Sequence, residues 1–166
     1  MIYEFKGVCH HCAEEVTIVL HNGELLSNCL SCEEAPFSIR QIAGVVYIVS
    51  NPNQRGVKIG QTSKTVEARV KSLNTTGVPG SFDVIAIFPT DKPKVAEKKV
   101  HTKLKRLKIE KEHFDIEPID AVLAAYRALN KKVDPIFYDD SVLSEIFELK
   151  LKEAKVQMQL KLKGKK

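Results

Sequence analysis

The chain has little that belongs in a membrane. Its apolar runs, such as "VVYIV" at 45–49, fall far short of the roughly 20 residues a spanning helix needs. The opening "MIYEFKG" has no apolar signal core, so the expected setting is a reducing cytoplasm with no membrane partner. Basic charge is also scarce at this end. Residues 1–40 carry two basic and six acidic side chains, a balance that repels phosphate.

The basic charge lies further along. Residues 41–116 hold fourteen basic and seven acidic side chains, residues 117–149 three and seven, and residues 150–166 seven and one. A basic block inside a folded core points to a polyanion partner, since phosphates attract clustered Lys and Arg. A solvated charged face accounts for the same charges equally well. With 166 residues, 43% of them hydrophobic, the chain suits one ordinary domain or a small domain with attachments.

Four cysteines form two pairs, "CHHC" at Cys9–Cys12 and "CLSC" at Cys29–Cys32, sixteen residues apart. Two C-x2-C knuckles at this spacing each offer two thiolates to one tetrahedral zinc, and disulfides are disfavoured in a reducing compartment. Between them "VTIVL" (Val16–Leu20) is strand-like, "HNG" (His21–Gly23) is a turn and "ELL" (Glu24–Leu26) returns. The expectation for 1–40 is a zinc ribbon with Cys9, Cys12, Cys29 and Cys32 as ligands. Its acidity favours a structural or protein-contact role, and about forty residues need the metal for much of their folding energy.

Beyond residue 40 the periodicity changes. "VVYIV" reads as a central strand, "SNPNQRG" (Ser50–Gly56) as a turn and "VKIGQT" (Val57–Thr62) as the returning strand. "TVEARVKSLN" (Thr65–Asn74) reads as a helix capped by Thr65, with Val66, Val70 and Leu73 on one stripe. "TGVPG" (Thr76–Gly80) breaks the chain, and "FDVIAIF" (Phe82–Phe88) is a third strand. "KPKVAEKKVHTKLKRL" (Lys92–Leu107) is a basic helix, followed by a strand-like "HFDI" (His113–Ile116). On residue type alone, Tyr47 in such a strand is core filler.

The order of these elements, with the residues they carry, resembles the GIY-YIG nuclease superfamily. "GVVY" (Gly44–Tyr47) is similar to its first motif and "KIG" (Lys58–Gly60) to its second. Arg69 matches its arginine, and Glu97 its metal-binding glutamate. The closest likeness is to a branch common in phage and bacterial proteins, with a "KIG" second motif and a Glu-x3-His helix, here Glu97 and His101. The resemblance covers 44–116 and implies cleavage of DNA phosphodiesters. In that scheme Glu97 holds Mg or Mn, Arg69 stabilises charge on the phosphate, and Tyr47 helps activate water. The residue types suit those roles. Helix geometry agrees: Glu97 falls about 60° from Val100, at the edge of the stripe of Ala96, Val100, Leu104 and Leu107, with His101 on the same flank.

One departure stands out. The second motif's tyrosine is replaced by Lys58, with Val57 beside it. An ammonium positions phosphate as a point charge but is a poor base at neutral pH unless desolvated. Besides a metal-dependent endonuclease, the alternatives are a catalytically silent nucleic-acid-binding or regulatory module and an adaptor working through the acidic ribbon.

The last third reads as a helical extension. "PIDAVLAAYRALNKK" (Pro118–Lys132) is an amphipathic helix expected to pack on the sheet, and "VDPIFYDD" (Val133–Asp140) a loop. A further helix begins near Ser141, a possible cap. "VQMQLKLKGKK" (Val156–Lys166) alternates and fits a strand as well as a helix; its final lysines are expected to fray. The overall expectation is an α/β chain in three parts. They are a zinc ribbon at 1–40, a small three-stranded sheet flanked by helices at 41–116, and a helical extension with a basic tail at 117–166.

Overall fold

The structure is a computed structural model that describes residues 1–39, 42–75, 77, 79–138 and 141–163. Within the last helix, the side chains at 141, 142, 160, 162 and 163 lie outside that description, and so does the expected Ser141 cap. The chain break expected at 76–80 is only partly covered, and the fraying lysines at 165 and 166 are not covered at all. The chain divides into two compact units, Met1–Ile42 and Ala43–Lys166.

The first unit is a three-stranded antiparallel sheet in the order β1 (Ile2–Val8), β2 (Glu15–His21), β3 (Glu24–Leu25). Asn22 and Gly23 both take positive φ, 52° and 88°, as a tight hairpin between β2 and β3 requires. Val16, Ile18 and Leu20 alternate inward along β2 and pack with Cys9 and Cys29. Every residue of β1 is exposed, so no apolar alternation marks this strand in the sequence.

The second unit holds a six-stranded sheet rather than the expected three. The three long strands are β4 (Gly44–Ser50), β5 (Val57–Thr62) and β6 (Asp83–Thr90), with β4 in the middle. Short strands β7 (Lys108–Glu110) and β8 (His113–Phe114) extend the sheet beyond β5, and β9 (Ile136–Phe137) extends it beyond β6. The segment 133–140, expected to be a loop, therefore contributes an edge strand. The architecture is mixed α/β, and its layout is not specific to the GIY-YIG superfamily.

Two apolar layers cover the sheet. On one face Val46, Ile48, Val57, Ile59, Ala86 and Phe88 pack with α2 (Pro93–Lys103) and α3 (Pro118–Ala128) through Ala96, Val100, Ala121 and Val122. The other face buries Tyr47, Val49 and Phe82 with Val70 and Leu73 of α1 (Val66–Leu73). Because side chains alternate along a strand, Lys58 and Gly60 of β5 share this second face with Tyr47. Near it β6 carries a bulge: Ile48 pairs with Ala86 but Val49 with Val84.

The helix expected to reach Leu107 stops at Lys103. The chain then tightens into a 3₁₀ turn at Lys105–Leu107, and Leu107 lies largely exposed rather than completing the stripe. That turn lets the chain double back as β7 and β8, and the Asp115 amide donates to the Leu107 carbonyl at 2.7 Å. α4 (Ser141–Lys163) is one continuous helix, which settles the alternating segment after Val156 as helical to Lys163. It is anchored by Phe147, buried against Tyr126 and Phe137. Leu149, Val156 and Met158 remain exposed on it.

Candidate functional site

In the first unit the four cysteine sulfurs lie within 4.8 Å of one another. Cys9 and Cys32 are 3.7 Å apart, Cys12 and Cys29 3.6 Å. A tetrahedral ion with metal–sulfur bonds of about 2.3 Å sets its ligands about 3.8 Å apart, so the four sulfurs can hold a metal such as zinc.

The two knuckles are built alike. The Ala13 amide donates to the Cys9 carbonyl and the Glu33 amide to the Cys29 carbonyl, each at 2.9 Å. Ala13 and Glu33 both sit at φ 61°, a left-handed conformation costing a non-glycine residue about 1–2 kcal/mol. Backbone amides of Cys32 and Ser31 hold the Cys29 thiol down to about 7. Cys32 is pushed up to about 12: the Glu34 amide works against this, but burial and the three neighbouring sulfurs outweigh it. Four crowded thiols that cannot all ionise together are a donor set waiting for a cation.

In the second unit the residues singled out from the sequence collect around the Tyr47 end of β4. The Tyr47 side chain is fully buried, 0% exposed, so the core-filler reading holds for its ring. Its hydroxyl accepts a hydrogen bond from Arg69 Nε at 3.1 Å. Thr65 orients α1 for this contact, its hydroxyl accepting from the Ala68 amide at 3.3 Å. Gly60 stands opposite Tyr47 in the sheet, and a Cβ there would overlap the Tyr47 hydroxyl and sit 2.6 Å from its Cζ. The glycine of "KIG" is thus the space into which the tyrosine's polar end extends.

Glu97 lies half-buried on α2. Burial raises its carboxyl above the usual range, against the pull of the His101, Lys58 and Arg69 charges. Its charge is felt in turn at Tyr47 and Arg69. Burial also raises the Tyr47 phenol, outweighing the Arg69 contact, so it is un-ionised at neutral pH. His101 is brought to the same edge, but its Nε2 is 2.9 Å from the Ile59 carbonyl and its ring packs on Phe114. That bond makes Nε2 the protonated nitrogen and leaves only Nδ1 free. Lys58 Nζ is 2.5 Å from Glu112 Oε2.

Glu112 is the residue that sequence reasoning missed. It lies in a charged turn that fits no motif, and only the pairing of β8 with β5 brings it to Lys58. Its carboxyl is raised by burial, but the hydrogen bond and charge of Lys58 outweigh this, with Arg69 and His101 adding to them, and the net shift is downward. Apart from the four cysteines, no three His, Cys, Asp or Glu ligand atoms cluster closely enough among the described residues to hold a metal. A groove of about 1060 Å³ between α3 and α4 contains none of these site residues.

The T5orf172 domain matches residues 44–158. The chain belongs to the T5orf172 domain family. This is a phage-associated domain related to nuclease-like folds. The match spans β4 through most of α4, and so takes in the whole polar cluster and both helices of the C-terminal third. Neither the curated proteins nor the solved structures hold a match to the chain. Among the described residues no helix is long and apolar enough to cross a membrane.

Proposed function

We propose that the second unit is a metal-dependent endonuclease that cleaves DNA phosphodiesters by a GIY-YIG-type mechanism, and that the first unit is a structural zinc ribbon. The observation that carries the nuclease reading is the Tyr47–Arg69 hydrogen bond, within electrostatic reach of a half-buried Glu97. These three, with Lys58 and His101, make up the set of residues expected to be catalytic. Membership of the T5orf172 domain family supports a nuclease-like or DNA-binding role.

Glu97 fits a divalent cation. Mg²⁺ keeps most of its waters and takes one or two carboxylates plus substrate phosphate, so a single half-buried glutamate would be enough. Glu112 is a weaker candidate ligand because its carboxylate is already held by an ammonium. A cation held by Glu97 would supply Lewis-acid polarisation of the scissile phosphate.

The remaining work falls to this chain's own groups. Arg69 is charged, partly exposed, and already donates Nε to Tyr47, which leaves its terminal N–H groups for a phosphate oxygen. Tyr47 is held as a phenol whose oxygen already accepts from Arg69, so its part is to hold Arg69 and orient the attacking water rather than to take a proton as a phenolate base. His101, tied to Ile59, steadies the α2–β5 edge on which Glu97 sits.

Incubation of plasmid and single-stranded DNA with Mg²⁺ or Mn²⁺, beside Glu97→Gln, tests this reading. Cleavage that Glu97→Gln abolishes, with DNA binding retained, is expected. The second reading, a silent DNA-binding module, is favoured by Lys58 in the place of a tyrosine. It wins if wild type and Glu97→Gln bind DNA equally and neither cuts.

A further inference from the structure

We propose that Glu112 is a positioning residue of this site: its carboxylate fixes the Lys58 ammonium facing the phosphodiester, and the pair replaces the missing second-motif tyrosine in orienting the scissile phosphate. The proposal rests on the nuclease reading above and adds a residue that no motif contains.

The geometry sets this ion pair apart from the others in the unit. The Lys58 side chain is only 13% exposed and Glu112 36%, whereas Arg55 and Asp115 are 80% and 43% exposed. A lysine that merely aids solubility keeps its hydration. This one has given most of it up, which is favourable only with a well-placed partner. Glu112 is placed by its backbone. Lys111 takes a left-handed turn at φ 41°, and the Glu112 carbonyl accepts from the Ile59 amide at 3.0 Å. His113 pairs with Lys58 across the strands, and its Nε2 lies 3.0 Å from Gln54 Oε1, pinning the other side of the turn.

The face matters as much as the distance. Lys58 projects from the same side of β5 as Gly60, the side on which Tyr47 meets Arg69. An ammonium has three N–H donors, and Glu112 is its one acceptor among the described residues. Two donors therefore remain for phosphate oxygens beside the Arg69 guanidinium. Lys58 and Arg69 supply two positive charges and Glu97 and Glu112 two negative ones, so these four groups balance one another, and a singly charged phosphodiester arriving with a divalent cation would leave the site one charge positive. Without Glu112 the flexible four-carbon stem of Lys58 would have many positions to choose from.

The test is a cycle of Lys58→Met, Glu112→Gln and the double variant in the full zinc-loaded chain. Plasmid cleavage, affinity for a short duplex and thermal midpoint are read for each. Each single change leaves a partner unpaired and lowers the midpoint; the double change removes both charges and recovers it. Activity is expected to behave otherwise. Glu112→Gln should lower kcat/KM about tenfold, mainly by raising KM, with the double variant no worse than Lys58→Met alone. If activity and affinity recover in the double variant along with stability, the pair is only structural and the proposal fails. It also fails if the two single losses multiply, because Glu112 then acts independently of Lys58. If wild type does not cleave, the nuclease reading falls separately, and the affinity cycle decides: coupled losses retain the pair as a phosphate-positioning device, and unchanged affinity in both single variants ends it.

Discussion

Gly60→Ala is the smallest change that reaches the site's centre. The backbone permits it, since Gly60 does not take positive φ. The obstacle is Tyr47, whose hydroxyl overlaps the added methyl and whose Cζ and Cε2 would lie 2.6 and 3.1 Å from it. Tyr47 cannot withdraw freely, because its ring is fully buried against Val49 and Phe82 and its hydroxyl is held by Arg69. Overpacking of this kind costs about 1–3 kcal/mol. Alanine's smaller entropy loss on folding returns about 0.5–1 kcal/mol. The net loss is about 0.5–2 kcal/mol, a fall of roughly 2–8 °C in the midpoint of the Ala43–Lys166 unit. A hydroxyl displaced by about an ångström should lower cleavage on the order of 10²-fold. Urea or thermal unfolding checks the first figure and plasmid nicking the second. The decisive control is Gly60→Ala with Tyr47→Leu, which empties the space the methyl needs and so should lose less stability than the two single changes summed. Strict additivity, or a Gly60→Ala protein as stable as wild type, would show that Tyr47 does not occupy the space above Gly60.

Three further outcomes follow. Purified protein should carry one zinc per chain, and a strong chelator should unfold residues 1–42 while leaving the 43–166 unit folded; four freely titrating thiols with no zinc would sink the ribbon. Glu97→Gln should raise stability at pH 7 but not at about pH 4. Burial raises the Glu97 carboxyl, so the penalty for ionising it is absent below the unfolded pKa and grows as pH rises through the folded value; equal stability of the two proteins at pH 7 would contradict a desolvated Glu97. Tyr47→Phe and Arg69→Ala should each slow cleavage by about 10² to 10⁴ with duplex binding retained, as read in single-turnover assays; loss of binding in parallel would make them binding residues instead.

What the sequence made legible were features with a local physical cause. The paired cysteines, the Asn22–Gly23 turn, the apolar alternation of β2 and the solid run of β4 each announce their structure over a few residues. The Thr65 cap and the Val66–Leu73 stripe did the same for α1. The features that were missed depend on distant partners. β7 lies in "KIEKEHF", a charged segment with no apolar period, and exists because it pairs with β8; β8 itself falls within the strand-like His113–Ile116, but its place beyond β5 had no local signal. β9 is two residues long and is defined only by β6. Glu112 belongs to no motif, and its pairing with Lys58 is set by a contact 54 positions away in sequence. The end of α4 was ambiguous because its exposed residues pack on little that would impose a period.

The short outer strands have a consequence for the chain's solubility. The run at 45–49 is apolar, β-branched, uncharged and free of proline, the composition from which stacked self-associating fibrils form. In the finished sheet it is unreachable, paired on one side by β5 and on the other by β6. The sheet's own borders are then three-residue and two-residue strands, too short to template the addition of another molecule. Protection arrives in stages. β5 follows β4 after the six residues 51–56 and is expected to pair first, since α1 and the loop after it separate β5 from β6. During that interval one side of the run at 45–49 is open, so the concentration at which the chain can be refolded is set by how quickly β6 docks, and substitutions that slow this step will show as aggregation before they show as lost stability.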